Sequence, residues 1–456
     1  MKTISAINPL TGQTIATYQA HSEVDIDAKI SSGQQAWQQW KTTDLNKRQA
    51  LMLEASRVLL KRKEELARLM ALEMGKPLAA GISEIEKCAY NCEYYAENAS
   101  AFLADELIDT EASKSYVSFQ PLGLILAIMP WNFPFWQLFR FLAPALMAGN
   151  CAVLKHSSNV PGCALAMEEV IKEAGFPSNV FQTLLIGSEA VEQVIEHPFI
   201  KAVTLTGSTE AGMAAAQKAG SLLKKTVLEL GGSDPYIILP DANIETAAET
   251  CVNSRLINSG QSCIAAKRFI VHKDILEEFT SRFKEKMAAK IVGDPLAAAT
   301  DVGPLARQDL RDQVHKQVVE SIAKGASCIL GGSIPENSFA FYPPTILTNV
   351  KKGMPAYDDE VFGPVAAIIT AEDEEEAISI ANDTAFGLGA AIFTNDMAKA
   401  EHIARNKLNA GSCFVNSFVK SDPRLPFGGI NQSGYGRELG VYGIKEFVNI
   451  KTVYIK

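Results

Sequence analysis

No stretch of this 456-residue chain is long and apolar enough to cross a bilayer. The most apolar run, Pro121 to Trp136, is interrupted by Pro130, Asn132 and Pro134; a membrane helix needs about 20 unbroken apolar residues, so the run is expected in a core. Basic charge is scarce too. The 43 Lys and Arg are outnumbered by 52 Asp and Glu, for a formal charge of −9, which argues against nucleic acid or an anionic membrane as a partner. The eight cysteines include no CxxC pair and are scattered along the chain. They make neither a disulfide framework nor an expected metal site, and a reduced, cytoplasmic setting fits them. The opening MKTISAINPLTGQTIATY has one basic residue and no apolar run of seven or more behind it, so it does not read as a signal peptide. Internal repeats, low-complexity tracts and long Gly/Ser linkers are missing as well.

What remains is 47% hydrophobic and 21% charged, the make-up of a globular protein of about three domain-sized units. Residues 44 to 75 repeat apolar side chains at helical spacing, with Gly75 as the stop, and a second helical stretch runs from about Ile82 to Leu103. A polar segment at 104 to 120 alternates poorly and reads as a hairpin or arm. From Gly123, short continuous apolar runs (GLILAIMP, CAVLKHS, VFQTLLIG, AVTLTG, VLELGG) alternate with helical segments. Strands apolar on both faces, separated by helices, predict a doubly wound parallel sheet. After Pro235 a second such series (YIIL, FIVH, SCIL, PTIL, VAAIIT, AAIFT, SCFVN) predicts a second α/β domain. The closing VNIKTVYI alternates like an edge strand that another strand or chain must cover.

Four segments carry the residue types of a reaction site. Cys263 ends Asn258-Ser-Gly-Gln-Ser-Cys, where Gly260 lets the backbone turn and two polar residues argue against a plain core strand. A thiolate there would be a nucleophile toward a carbonyl, although most free cysteines are small buried hydrophobes. Glu229, in Leu-Glu-Leu-Gly-Gly, stands at an apolar strand end, a costly place for an ionised carboxylate and a suitable one for a general base. A capping or salt-bridged Glu fits that segment equally. Asn132, between Pro130 and Pro134, follows the first parallel strand, where such sheets bind ligands, and its amide could donate to an oxyanion, although taken by itself the segment reads better as a structural turn between two prolines. Gly207, Ser208 and Gly212 open a helix after the strand AVTLTG and suit a pyrophosphate, or simply a glycine-packed helix start. They form neither GxGxxG nor a Walker A motif.

Together these segments resemble the NAD(P)-dependent aldehyde dehydrogenase superfamily across essentially the whole chain. ProTrpAsnPhePro, the GlySerThr turn, LeuGluLeuGlyGly, GlyGlnSerCys, GluValPheGlyPro at 360–364 and ProPheGlyGly at 426–429 follow the family's order and spacing. The resemblance implies an α/β fold: a Rossmann-type cofactor domain, an α/β catalytic domain and a small β oligomerisation element. It implies that Cys263 attacks an aldehyde to form a thiohemiacetal, that hydride transfer leaves a thioester, and that water activated by Glu229 hydrolyses it. Asn132 and the Cys263 N–H would form the oxyanion hole. Trp131, Lys155, Ser158, Gly207, Ser208, Gly212, Leu230, Glu360 and Phe362 would line the cofactor site. Members specific for NAD usually carry a glutamate where this chain has Ser158. A carboxylate about 4 Å from a phosphate costs on the order of 1 kcal/mol or more per charge pair, so NADP is expected at least as well as NAD.

IMPWNFPFWQ, LELGGSDP, AAKRFI and FYPPT most resemble the short bacterial succinate-semialdehyde dehydrogenases. That branch implies Arg140 and Ser421 as substrate contacts, with Arg424 a further carboxylate candidate. Two departures stand out: Ile257 replaces a second arginine of some members, and Ala265 replaces a second cysteine. Phe133, Phe135, Trp136 and Phe418 would instead suit other aliphatic or aromatic aldehydes, and a non-catalytic protein on the same scaffold is the reading from another class. A coenzyme A-acylating enzyme usually lacks the base that Glu229 supplies. The expected domains are 1–103 with 122–232 for cofactor, 233–441 for catalysis, with the stretch after about 425 open to rejoining the first, and 104–121 with 442–456 for assembly into a homodimer or homotetramer.

Overall fold

The structure, a computed structural model, describes residues 2–336 and 338–456. Two long helices, Leu45–Met74 and Leu78–Phe102, pack along each other near the N-terminus. The first starts where the Asp44 side chain accepts the Asn46 N–H and stops at left-handed Gly75. Before them lie a hairpin, Thr3–Ile7 with Thr14–Gln19, and a helix, Glu23–Trp40, opened by a capping box between Ser22 and Asp25.

A six-stranded sheet follows in the spatial order Gly434–Tyr435, Lys225–Glu229, Ile200–Thr206, Leu124–Met129, Cys151–His156, Phe181–Thr183. All pairs are parallel except the first, in which a late segment returns antiparallel to Lys225–Glu229. Strand order reverses between Leu124–Met129 and Ile200–Thr206, the place where doubly wound sheets open a ligand crevice. The helix Pro134–Met147 seals this core with Phe135, Leu138, Phe139, Leu142 and Leu146, all buried. Each contributes about 1.5–3 kcal/mol relative to exposure. Glu84 caps that helix from a distance, accepting the N–H groups of Phe135 and Trp136 at 2.9 and 3.0 Å, while Lys76 neutralises it.

The second sheet runs Ser327–Leu330, Thr345–Thr348, Val365–Ala371, Arg268–His272, Pro235–Ile238, Gly389–Phe393, Ser412–Val415 and is parallel apart from its first strand. Along Pro235–Ile238, Tyr236 and Ile238 enter one apolar core and Ile237 another, which is why the segment reads as a continuous apolar run. Between its strands stands the helix Gln308–Ala323, which the sequence reading had not anticipated. Finally, Val448–Ile455 pairs antiparallel with Lys114–Pro121 over its full length, and Glu106–Leu107 adds a third strand. Ile450, Tyr454 and Leu107 are exposed on this sheet. No helix among the described residues is long and apolar enough to cross a membrane.

Candidate active site

Cys263 follows a loop whose backbone is unusual. The helix Ile244–Leu256 ends before it, and Asn258, Ser259 and Gly260 are all left-handed, with φ of 52°, 56° and 78°. A Cβ on Gly260 would run into the Gly363 carbonyl, so only glycine fits. The two non-glycine residues cost of order 1–3 kcal/mol each, and their neighbours hold them: Asn258 Nδ2 donates to the Asn132 and Gln261 carbonyls at 2.6 and 3.1 Å. Lys267 donates to the carbonyls of Ser262 and Cys263 at 2.8 and 2.6 Å and lies 3.4 Å from Glu360. Sequence reading missed Lys267; a lysine and arginine inside the apolar AAKRFIV was its only signal.

Glu229 ends its strand buried and beside the thiol. Burial first, and then the Glu229 charge, push the Cys263 thiol well above its ordinary range, while Arg140 and Lys267 pull the other way. The resting group is therefore a thiol next to a carboxylate that can take its proton. Asn132 is buried, with its amide 3.1 Å from the Gln261 carbonyl. The Cys263 N–H has no acceptor among the described residues and stays available to an oxyanion.

Two cavities meet at Cys263. The first, about 500 Å³, is lined by Trp131, Asn132, Gly207, Ser208, Glu229, Leu230, Glu360 and Phe362. Gln313 and Gln317 of the unanticipated helix complete it. Ser208 caps the helix Thr209–Ser221 by accepting the Ala211 N–H, Glu360 accepts the Gly232 N–H at 3.0 Å, and Trp131 meets Phe362 edge-on at 5.8 Å. Gly212 does not line this groove, contrary to expectation. A Cβ there would collide with Leu230, so close packing explains the glycine. A further cavity, about 660 Å³, holds Lys155, Ser157 and Ser158. Lys155 has no counter-ion within salt-bridge distance among the described residues, and burial holds its ammonium below its usual range. A free cation beside two serine hydroxyls, with no carboxylate at position 158, fits a phosphate-bearing adenosine.

The second cavity at Cys263, about 390 Å³, is bounded by Phe133, Trp136, Arg140, Ser262, Phe418 and Ser421, among others. Ser421 lies there as expected, accepting from Lys87 Nζ at 2.7 Å and Trp136 Nε1 at 3.1 Å. Arg424 does not: it is exposed and engaged bidentately with Asp422 two residues away. Arg140 touches the cavity, but its charge is already matched. It lies 3.3 Å from Glu229 and 2.6 Å from Glu438, and also donates to Thr206. Glu438, which sequence reading did not single out, is pushed up to about 7 by burial. The expected free guanidinium for a substrate carboxylate is therefore missing at both arginines.

Residues 1–453 match the model of the aldehyde dehydrogenase family. A protein named "Probable succinate-semialdehyde dehydrogenase (NADP(+))" from Synechocystis sp. is 50% identical, with 99% of each chain covered. "Succinate-semialdehyde dehydrogenase (NADP(+)) 1" of Mycobacterium tuberculosis is 49% identical over the same share. The crystal structure of a succinic semialdehyde dehydrogenase from Streptococcus pyogenes with NADP+ superposes with a TM-score of 0.97 at 36% identity, covering 99% of both chains.

Proposed function

The chain belongs to the aldehyde dehydrogenase family, and from that premise we propose that it oxidises succinic semialdehyde to succinate with NADP as the cofactor. The observation that carries the reading is the position of Cys263 at the meeting point of two cavities, with Glu229 alongside. The aldehyde enters from the apolar side. Glu229 takes the thiol proton as Cys263 attacks the carbonyl carbon, and the Asn132 amide and the Cys263 N–H meet the oxygen as it gains charge. When bound, the nicotinamide cofactor supplies the hydride acceptor. Once its first proton has passed to solvent, Glu229 takes a proton from the water that attacks the Cys263 thioester and returns it to the departing sulfur, releasing the acid and restoring the thiol.

Trp131, Leu230, Glu360, Phe362, Gly207 and Ser208 hold the cofactor in this reading, with Lys155 and Ser158 at its adenosine phosphate. The six-stranded sheet with residues 1–103 is the cofactor domain, the seven-stranded sheet the catalytic domain, and the three-stranded sheet the assembly element. Exposed Ile450, Tyr454 and Leu107 support a homodimer or homotetramer. Free thiols among the described cysteines support a cytoplasmic setting. The test is NADPH formation with succinic semialdehyde, butanal and benzaldehyde by the parent and by Cys263→Ala. Undiminished turnover in the variant would sink the mechanism; benzaldehyde exceeding succinic semialdehyde in kcat/KM would sink the substrate.

A further inference from the structure

We propose that Lys87, from the helix Leu78–Phe102, is the cation that receives the carboxylate of the acidic aldehyde and makes this pocket prefer it to a neutral one. The inference rests on the substrate reading above and names the residue that sets it.

Among the described residues, the cations on this cavity differ in whether their charge is spent. Arg140 is matched by Glu229 and Glu438, and Lys290 by Asp301 at 3.8 Å. Lys420 is exposed. Lys87 has no carboxylate within salt-bridge distance, and its one hydrogen-bond acceptor is a neutral hydroxyl. The ammonium stands 4.1 Å over the Trp136 ring, which fixes its direction without neutralising it. An ammonium has three N–H groups, and one of them is used by the described residues.

Ser421 completes the seat. Its oxygen receives the Lys87 and Trp136 donors, so both lone pairs are occupied and its own hydrogen is left for an outside acceptor. The hydroxyl is buried at the cavity wall. Ammonium and hydroxyl together offer donors to two oxygens, the complement of a carboxylate, and the nearest carboxylates, Glu84 and Asp422, lie beyond salt-bridge distance of the ammonium. The same logic applies to Lys155 in the neighbouring groove. These two partly buried lysines lack a counter-ion, and each faces a cavity where an anionic ligand is expected.

The experiment compares kcat/KM for succinic semialdehyde with that for butanal in the parent, Lys87→Met and Lys87→Arg. In the parent the ratio should favour the acid. In Lys87→Met the ratio should fall by about tenfold to a hundredfold, carried by KM for succinic semialdehyde, as expected for losing one charge-assisted contact; Lys87→Arg should recover most of it. Butanal turnover in the same preparation reports whether the variant is folded. A parent that prefers the acid while Lys87→Met keeps that preference overturns this inference and leaves the substrate reading standing. A parent without the preference overturns both.

Discussion

Arg140 holds Glu229 across a 3.3 Å ion pair in which neither side chain is more than 2% exposed. Removing one partner of such a pair strands the other charge, at a cost of about 3–5 kcal/mol. Arg140→Met is therefore expected to lower the thermal midpoint and to reduce kcat on succinic semialdehyde and butanal alike. Kinetics on both aldehydes check this; a loss confined to the acidic substrate would return Arg140 to the role of carboxylate receptor.

Glu229→Gln keeps the volume and removes the proton acceptor. Steady-state kcat should drop by about a hundredfold or more, and whatever acyl group forms on Cys263 should persist longer than in the parent, because its hydrolysis needs the same carboxylate as the thiol's attack. Intact-protein mass spectrometry after mixing with substrate and NADP reads the adduct directly.

Ser158→Glu places a carboxylate in the cavity that also holds Lys155. At about 4 Å from a phosphate it costs on the order of 1 kcal/mol or more, so the NADP-to-NAD ratio of kcat/KM should fall by about fivefold or more. An unchanged ratio would remove the argument for where the phosphate sits.

Selectivity should depend on pH. Burial, followed by the charge of Arg140 on the facing helix, pushes the Lys87 ammonium down to about 8, against Cys88 and Glu84 of its own helix and Asp422 of the adjoining loop. The charged form prevails below that value and is lost above it. The preference for succinic semialdehyde over butanal should stay level up to about pH 7 and decline beyond about pH 8, and the decline should vanish in Lys87→Arg. Taking the ratio removes the titration of Cys263, which both substrates share.

Ile450 is 64% exposed on the terminal strand. If that face pairs subunits, Ile450→Asp should shift the sedimentation coefficient toward the monomer and leave the far-ultraviolet circular dichroism of the chain unchanged.

Most of the sheet strands were legible because each is a short run of the pattern that burial on both faces requires. The helix Gln308–Ala323 was not, since four of its sixteen residues are buried and the apolar signal is correspondingly thin. The strand Gly434–Tyr435 is two residues long and exists only because Lys225–Glu229 offers it an edge. Gly212 read as a phosphate turn, but a glycine required by a neighbouring leucine looks the same in sequence as one required by a ligand.

Sequence alone put forward the chemistry-bearing groups: Cys263, Glu229 and Asn132 each had a plain structural alternative within its own segment, and the order and spacing of the motifs along the chain singled them out together. Tertiary structure decided which charges are free. Arg140, Arg424 and Lys87 are equally cationic on the page, yet pairing depends on distances between segments far apart in the chain. Folding brings Glu229 and Glu438 to Arg140, leaves Arg424 on the surface with Asp422, and turns Lys87 with its charge unmatched into the cavity beside Ser421.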